Sequence, residues 1–113
     1  MVEGSQIDWG GHDNDSEYIV NETLDFNRAV EKALAFVESH PNTLLIVTAD
    51  HETGGMGLNN GDLRGQTVEA GYTTGGHTGV MVPVFAKGPG AENFRGIYEN
   101  TDIFKKMKEL YGF

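Results

Sequence analysis

The seven residues from Thr43 to Ala49 (TLLIVTA) form an unbroken aliphatic and β-branched run, and no other feature restricts the fold as tightly. A strand with one wet face would alternate with period two, so a continuous run of this length reads as a strand buried on both faces. Before it stands His40-Pro41-Asn42, a stop and turn signal. Upstream of that, Val20, Leu24, Val30, Ala33, Leu34 and Val37 recur at helical spacing, with Glu31, Lys32 and Glu38 on the other face. The pattern predicts a helix over about 16–39 and a central parallel strand over about 43–49. The strand's partner is expected to end at Met1-Val2-Glu3, cut off at residue 1 and joined through the helix in a right-handed βαβ unit.

Val80 to Ala86 predicts a second strand, which Pro83 demotes towards an edge or bulge because it cannot donate to a ladder. Lys87-Gly88-Pro89-Gly90 then turns the chain. A last helix is expected over about 101–111: Thr101 or Asn100 as cap, Asp102 in the first turn, an apolar stripe of Ile103, Phe104, Met107, Leu110 and Tyr111, and Gly112 as stop. The Gly-rich stretch from Gly54 to Gly79 reads as loop. The class is α/β, a partial doubly wound and mostly parallel sheet.

The chemistry begins where an open α/β sheet gathers ligands, beyond the carboxyl ends of its strands. Asp50-His51 lies just past the run 43–49, and Glu3, Asp8 and His12 lie just past the expected opening strand. Asp8 and His12 are spaced i, i+4, so one turn of helix or a tight Gly-Gly turn could aim both at one ion. Alone, each has a plain reading as a turn residue, a surface imidazole or a polar strand end. Together with His77 they gather three of the four histidines with carboxylates at strand ends. His40, at the helix end, reads instead as a partner of the helix dipole. With no cysteine in 113 residues, a zinc site must use imidazole and carboxylate. The net charge of −9, with eight scattered bases, argues against nucleic acid. No apolar run approaches the length of a membrane span.

The series Val2-Glu3-Gly4-x-x-Ile7-Asp8-x-x-x-His12, then Val47-Thr48-Ala49-Asp50-His51, then His77-Thr78-Gly79 with a strand and Gly88-Pro89, resembles the C-terminal motifs of alkaline phosphatases. The resemblance covers residue 2 to about 112 and implies that 1–113 is the C-terminal portion of an alkaline phosphatase domain. It implies two zinc ions, one held by Asp8, His12 and His77 and the other by Asp50 and His51, with Glu3 serving a magnesium site. Trp9, beside the metal and phosphate site, stands where other members have lysine or histidine. By the same resemblance the protein hydrolyses phosphate monoesters through a phosphoserine intermediate and is periplasmic or secreted, and a homodimer is left open for the full-length protein. The family's nucleophilic serine and phosphate-clamping arginine lie upstream of these motifs. Ser16 therefore reads as a helix N-cap, and Arg28, Arg64 and Arg95 as helix-face or loop residues. Other members of the superfamily, phosphodiesterases or mutases, share the paired-metal scaffold, and a non-catalytic metal-binding domain is the reading from another class.

Overall fold

The computed structural model describes all residues, Met1–Phe113. Helix α1 (Gln6–His12) and the long α2 (Ser16–Ser39) come first, followed by β1 (Leu45–Thr48), β2 (Glu52–Thr53), β3 (Gly57–Asp62), β4 (Thr67–Gly71), β5 (His77–Thr78) and β6 (Val84–Lys87). A 3₁₀ turn (Ala91–Phe94) and α3 (Thr101–Tyr111) complete the chain. The contacts divide it into two units, Met1–Ala29 with His51–Met81, and Val30–Asp50 with Val82–Phe113.

In the first unit, α1 ends on N–H bonds from Asp13 to Trp9 and from Asn14 to Gly11, with Asn14 in the left-handed region at φ 52°. Asp15 opens α2 by accepting the N–H of Tyr18 at 3.0 Å, the reach of an N-cap side chain to the third helical residue. This corrects the expected role of Ser16, whose hydroxyl instead meets the Tyr72 hydroxyl at 2.9 Å. Residues 54–79, expected as loop, carry the antiparallel β3–β4 hairpin, whose register shifts between Leu58 and Asn60, and also β5, which pairs antiparallel with β2 just before the stretch. Every residue of β3 is exposed, so the hairpin has no apolar alternation to betray it. The buried residues of this unit are Gly10, Gly11 and Gly54, which means that its interior is close backbone packing and not large side chains.

The second unit holds the two buried hydrophobic side chains, Val37 of α2 and Phe94 of the 3₁₀ turn. Here β1 and β6 pair antiparallel with Leu45 opposite Lys87 and Thr48 opposite Val84. The expected parallel sheet is thus corrected: all three sheets are two-stranded and antiparallel, and Met1-Val2-Glu3 forms no strand. An antiparallel ladder is slightly stronger per residue than a parallel one, and β6 offers four consecutive partners. The strand expected over 80–86 begins only at Val84, the first residue after Pro83, whose missing N–H bars it from a ladder. Pro83 still contributes its carbonyl, which accepts the Thr48 hydroxyl at 3.2 Å.

Both long helices fall on their expected bounds. His40 acts as foreseen at the end of α2, its Nδ1 donating to the Phe36 carbonyl at 2.9 Å and its ring stacked on that of Phe36. Lys87 reaches Glu38 at 2.7 Å and ties β6 to α2 within this unit. For α3, Gly112 closes the helix at φ 80°, whereas neither Asn100 nor Thr101 makes a capping bond from its side chain. Parts of both expected apolar stripes are solvated, including Val20, Leu24, Phe104 and Tyr111.

Candidate metal centre

Helix α1 owes its place to glycine. A Cβ on Gly11 would lie 2.9 Å from both Cβ and Cγ2 of Thr53, so only glycine lets the helix approach β2 this closely. The same approach sets Asp8 and His12, one turn apart, on the face that looks towards β2 and β5. Strand β5 then delivers His77, which is opposite Thr53 in the ladder.

Asp8, His12 and His77 converge, their ligand atoms all within 4.8 Å of one another. The separations are 3.5 Å between Asp8 Oδ1 and His12 Nε2, 3.6 Å between Asp8 Oδ1 and His77 Nε2, and 3.2 Å between the two Nε2 atoms. Ligands about 2.0–2.1 Å from a zinc ion at tetrahedral angles are roughly 3.3 Å apart, so the triad has the donor set and spacing of three zinc ligands with one position left over. The side chains are 34%, 42% and 47% exposed, which leaves that position open to an exchangeable ligand.

Neighbouring groups fix how these atoms present themselves. The Gly75 carbonyl, an acceptor only, lies 2.7 Å from His12 Nδ1, so Nδ1 carries the proton and the Nε2 of the neutral ring faces the triad bare. Thr53 donates its hydroxyl proton to Asp8 Oδ1 at 2.5 Å. That hydroxyl is also 3.2 Å from His51 Nδ1 and has no second proton, so the imidazole is the donor and its Nε2 is the unprotonated nitrogen. The Thr53 bond, opposed by partial burial and helped by His12, His51 and His77, holds the Asp8 carboxyl below its ordinary range.

Of the six ligand residues expected from sequence, three meet in this group. His51 stands outside it, stacked on the His77 ring with centroids 3.6 Å apart. Glu3 is exposed in the segment leading to α1, and Asp50 is exposed at a bend immediately before His51 in the chain. Trp9, beside Asp8 in α1, is 55% exposed. Sequence reasoning missed Thr53, Glu52 and the Gly75 carbonyl. Only Thr53 carried a signal, its position two residues after His51 in an extended segment, which sends both side chains to one face.

An α/β chain with a carboxylate–imidazole triad of this spacing is a candidate metalloprotein, and the comparisons give the class a name. A family model described as alkaline phosphatase matches residues 1–68 and 58–113. The chain belongs to the alkaline phosphatase family. It is 40% identical to the streptomycin-6-phosphate phosphatase of Streptomyces griseus over 99% of its own length and 29% of that protein's. It is 35% identical to the alkaline phosphatase of Escherichia coli, over 99% and 27% respectively. Among solved structures it superposes on the alkaline phosphatase of the Antarctic bacterium TAB5 with a TM-score of 0.87 and 49% identity, covering 96% of this chain and 33% of that one. A variant of the TAB5 enzyme has been solved with magnesium bound. The chain thus spans only about a quarter to a third of the length of these relatives.

Proposed function

We propose that this chain is the C-terminal metal-binding portion of a phosphate monoester hydrolase, with Asp8, His12 and His77 holding one zinc, Asp50 and His51 a second, and Glu3 contributing to a magnesium site. The observation that carries the reading is the near-equal spacing of the three ligand atoms, 3.2–3.6 Å. Family membership supports it, as do relatives named as phosphatases, one of them for streptomycin 6-phosphate. When bound, paired divalent cations neutralise phosphoryl charge and acidify a water molecule.

The chain's own residues prepare for this. Thr53 keeps Asp8 ionised and oriented, and its oxygen holds the proton of His51 on Nδ1, away from the nitrogen that would ligate. Gly75 does the same for His12. Because His12 Nε2 is bare, His77 Nε2 is the donor in the 3.2 Å contact between them, and His77 would have to give up that proton to serve as a ligand. Of the chain's serines, Ser16 meets the Tyr72 hydroxyl, Ser39 donates to the Phe36 carbonyl, and Ser5 is exposed before α1. By the family resemblance, the nucleophilic serine and the phosphate-clamping arginine belong to a part of the protein outside residues 1–113. Secretion or residence in the periplasm goes with the same reading, and no helix is long and apolar enough to cross a membrane.

Calorimetric titration with zinc at neutral pH tests the ligand set. Binding to the unaltered protein is expected to weaken at least tenfold in His12→Ala and in His77→Ala, in line with the loss of a ligand. A His12→Ala, His77→Ala double variant that binds zinc like the original would sink the assignment.

A further inference from the structure

His77 reaches the triad on a slight support for a metal ligand: the β2–β5 ladder has two residue pairs, Glu52 with Thr78 and Thr53 with His77. A two-stranded ladder of that length is not stable alone. Successive side chains point to opposite faces, so Thr53 and His77 share the face of the triad while Glu52 and Thr78 share the face behind it.

On that rear face the Glu52 carboxylate makes three bonds. Its Oε2 accepts the N–H of Gly55 and its Oε1 the N–H of Met56, both at 3.1 Å, and Oε2 also accepts the Thr78 hydroxyl. The turn so gathered is the one whose Gly54 N–H bonds the Gly76 carbonyl at 2.8 Å and whose Gly54 carbonyl accepts from Thr73 at 3.0 Å. One carboxylate therefore joins the turn after β2 to the residue that follows His77. Because its oxygens are committed to these donors, Glu52 is not a free ligand, and it lies outside the converging triad.

We infer that Glu52, acting through Thr78, is a positioning residue that sets the register and height of His77 over Asp8 and His12. The inference rests on reading those three residues as metal ligands. Charge-assisted bonds to a carboxylate are about twice as strong as neutral ones, and loss of an outer-shell partner typically lowers metal affinity about 10–100-fold.

Cobalt(II), a spectroscopic probe of coordination geometry, and competition with zinc for affinity provide the test on the whole protein. Glu52→Ala and Thr78→Val are each expected to lower affinity for both ions tenfold or more and to move the cobalt absorption bands at saturation. Thr78→Ser, which keeps the hydroxyl, is expected to restore both. Should Glu52→Ala fail to fold, the Thr78→Val and Thr78→Ser pair decides, since it leaves the carboxylate and its two backbone bonds in place. Amide exchange in the metal-free protein supplies a second readout, with Gly55 and Met56 losing protection in Glu52→Ala. Variants that lose that protection yet bind cobalt with the original spectrum and affinity confine Glu52 to the turn and overturn the inference. An unaltered protein that gives no cobalt spectrum overturns the metal reading itself, and the inference with it.

Discussion

Replacing Gly11 with alanine sets two effects of known size against each other. Within a helix the change favours folding by up to about 1 kcal/mol through backbone entropy, and by less here because Gly11 is the penultimate residue of a seven-residue helix. Against it, the new Cβ would stand 2.9 Å from Thr53 Cβ and Cγ2 and 3.2 Å from the Thr53 carbonyl oxygen. Overpacking of this kind costs about 1–3 kcal/mol, and the neighbour is poorly able to yield. Thr53 is β-branched and stiff at χ1, its hydroxyl is held by Asp8 and His51, and its backbone is paired to His77. The steric term wins, and a net loss of about 1–2 kcal/mol is expected in urea unfolding of the metal-free protein. The displacement falls on Thr53, so zinc affinity is expected to drop with stability. Gly79→Ala is the control, because a Cβ there has no atom within 4 Å. If Gly11→Ala proved more stable than the original and bound zinc equally well, the argument that close helix–strand approach seats Asp8 and His12 would be refuted.

Two further outcomes are expected. Thr53→Val, which keeps the shape and removes the hydroxyl bond to Asp8, should weaken zinc binding about 10–100-fold in a chelator competition, and Thr53→Ser should recover most of it; equal affinity in all three proteins would deny Thr53 a part in the site. The second concerns acid. Thr53 depresses the Asp8 carboxyl below its ordinary 3.8, and Thr78, aided by the turn N–H groups, depresses the Glu52 carboxyl below 4.5. Groups lowered in the folded state contribute stability that is present above their unfolded values and lost as pH falls through the folded ones. The metal-free thermal midpoint should therefore decline as pH falls below about 4, and less steeply in Glu52→Gln; a variant whose acid limb matched the original would show that this carboxylate does not contribute.

The two longer helices were legible; the short α1, open to reading as a Gly-Gly turn, and the sheets were not. A 24-residue segment at 3.6-residue spacing, stopped by His40-Pro41, leaves little freedom, and α2 and α3 have the bounds their patterns predict. The run 43–49 announces a strand but not its neighbour, because apolar side chains on both faces fit parallel and antiparallel pairing equally. That β1 takes β6, in an antiparallel ladder, is settled by backbone hydrogen bonds that leave no mark on hydrophobicity. Likewise β3 and β4 are exposed over nearly their whole length, so a period-two pattern had nothing to act on.

The triad was half legible for the same reason. Asp8 and His12 are neighbours by helical geometry alone, whereas His77 arrives from 65 residues beyond His12 through a two-residue ladder. The residues that govern this arrival, Glu52, Thr53, Thr78 and the glycines at 11 and 54, act by register, hydroxyl protons and absent side chains. In this unit the buried positions are glycines, so little hydrophobic burial separates a well-placed site from a displaced one. Stability and ligand geometry therefore depend on the same few polar bonds, and a change to any of them should move both together. A cation held by three of the unit's side chains would add to its folding free energy, since ligands gathered from α1 and β5 are not gathered in the unfolded chain.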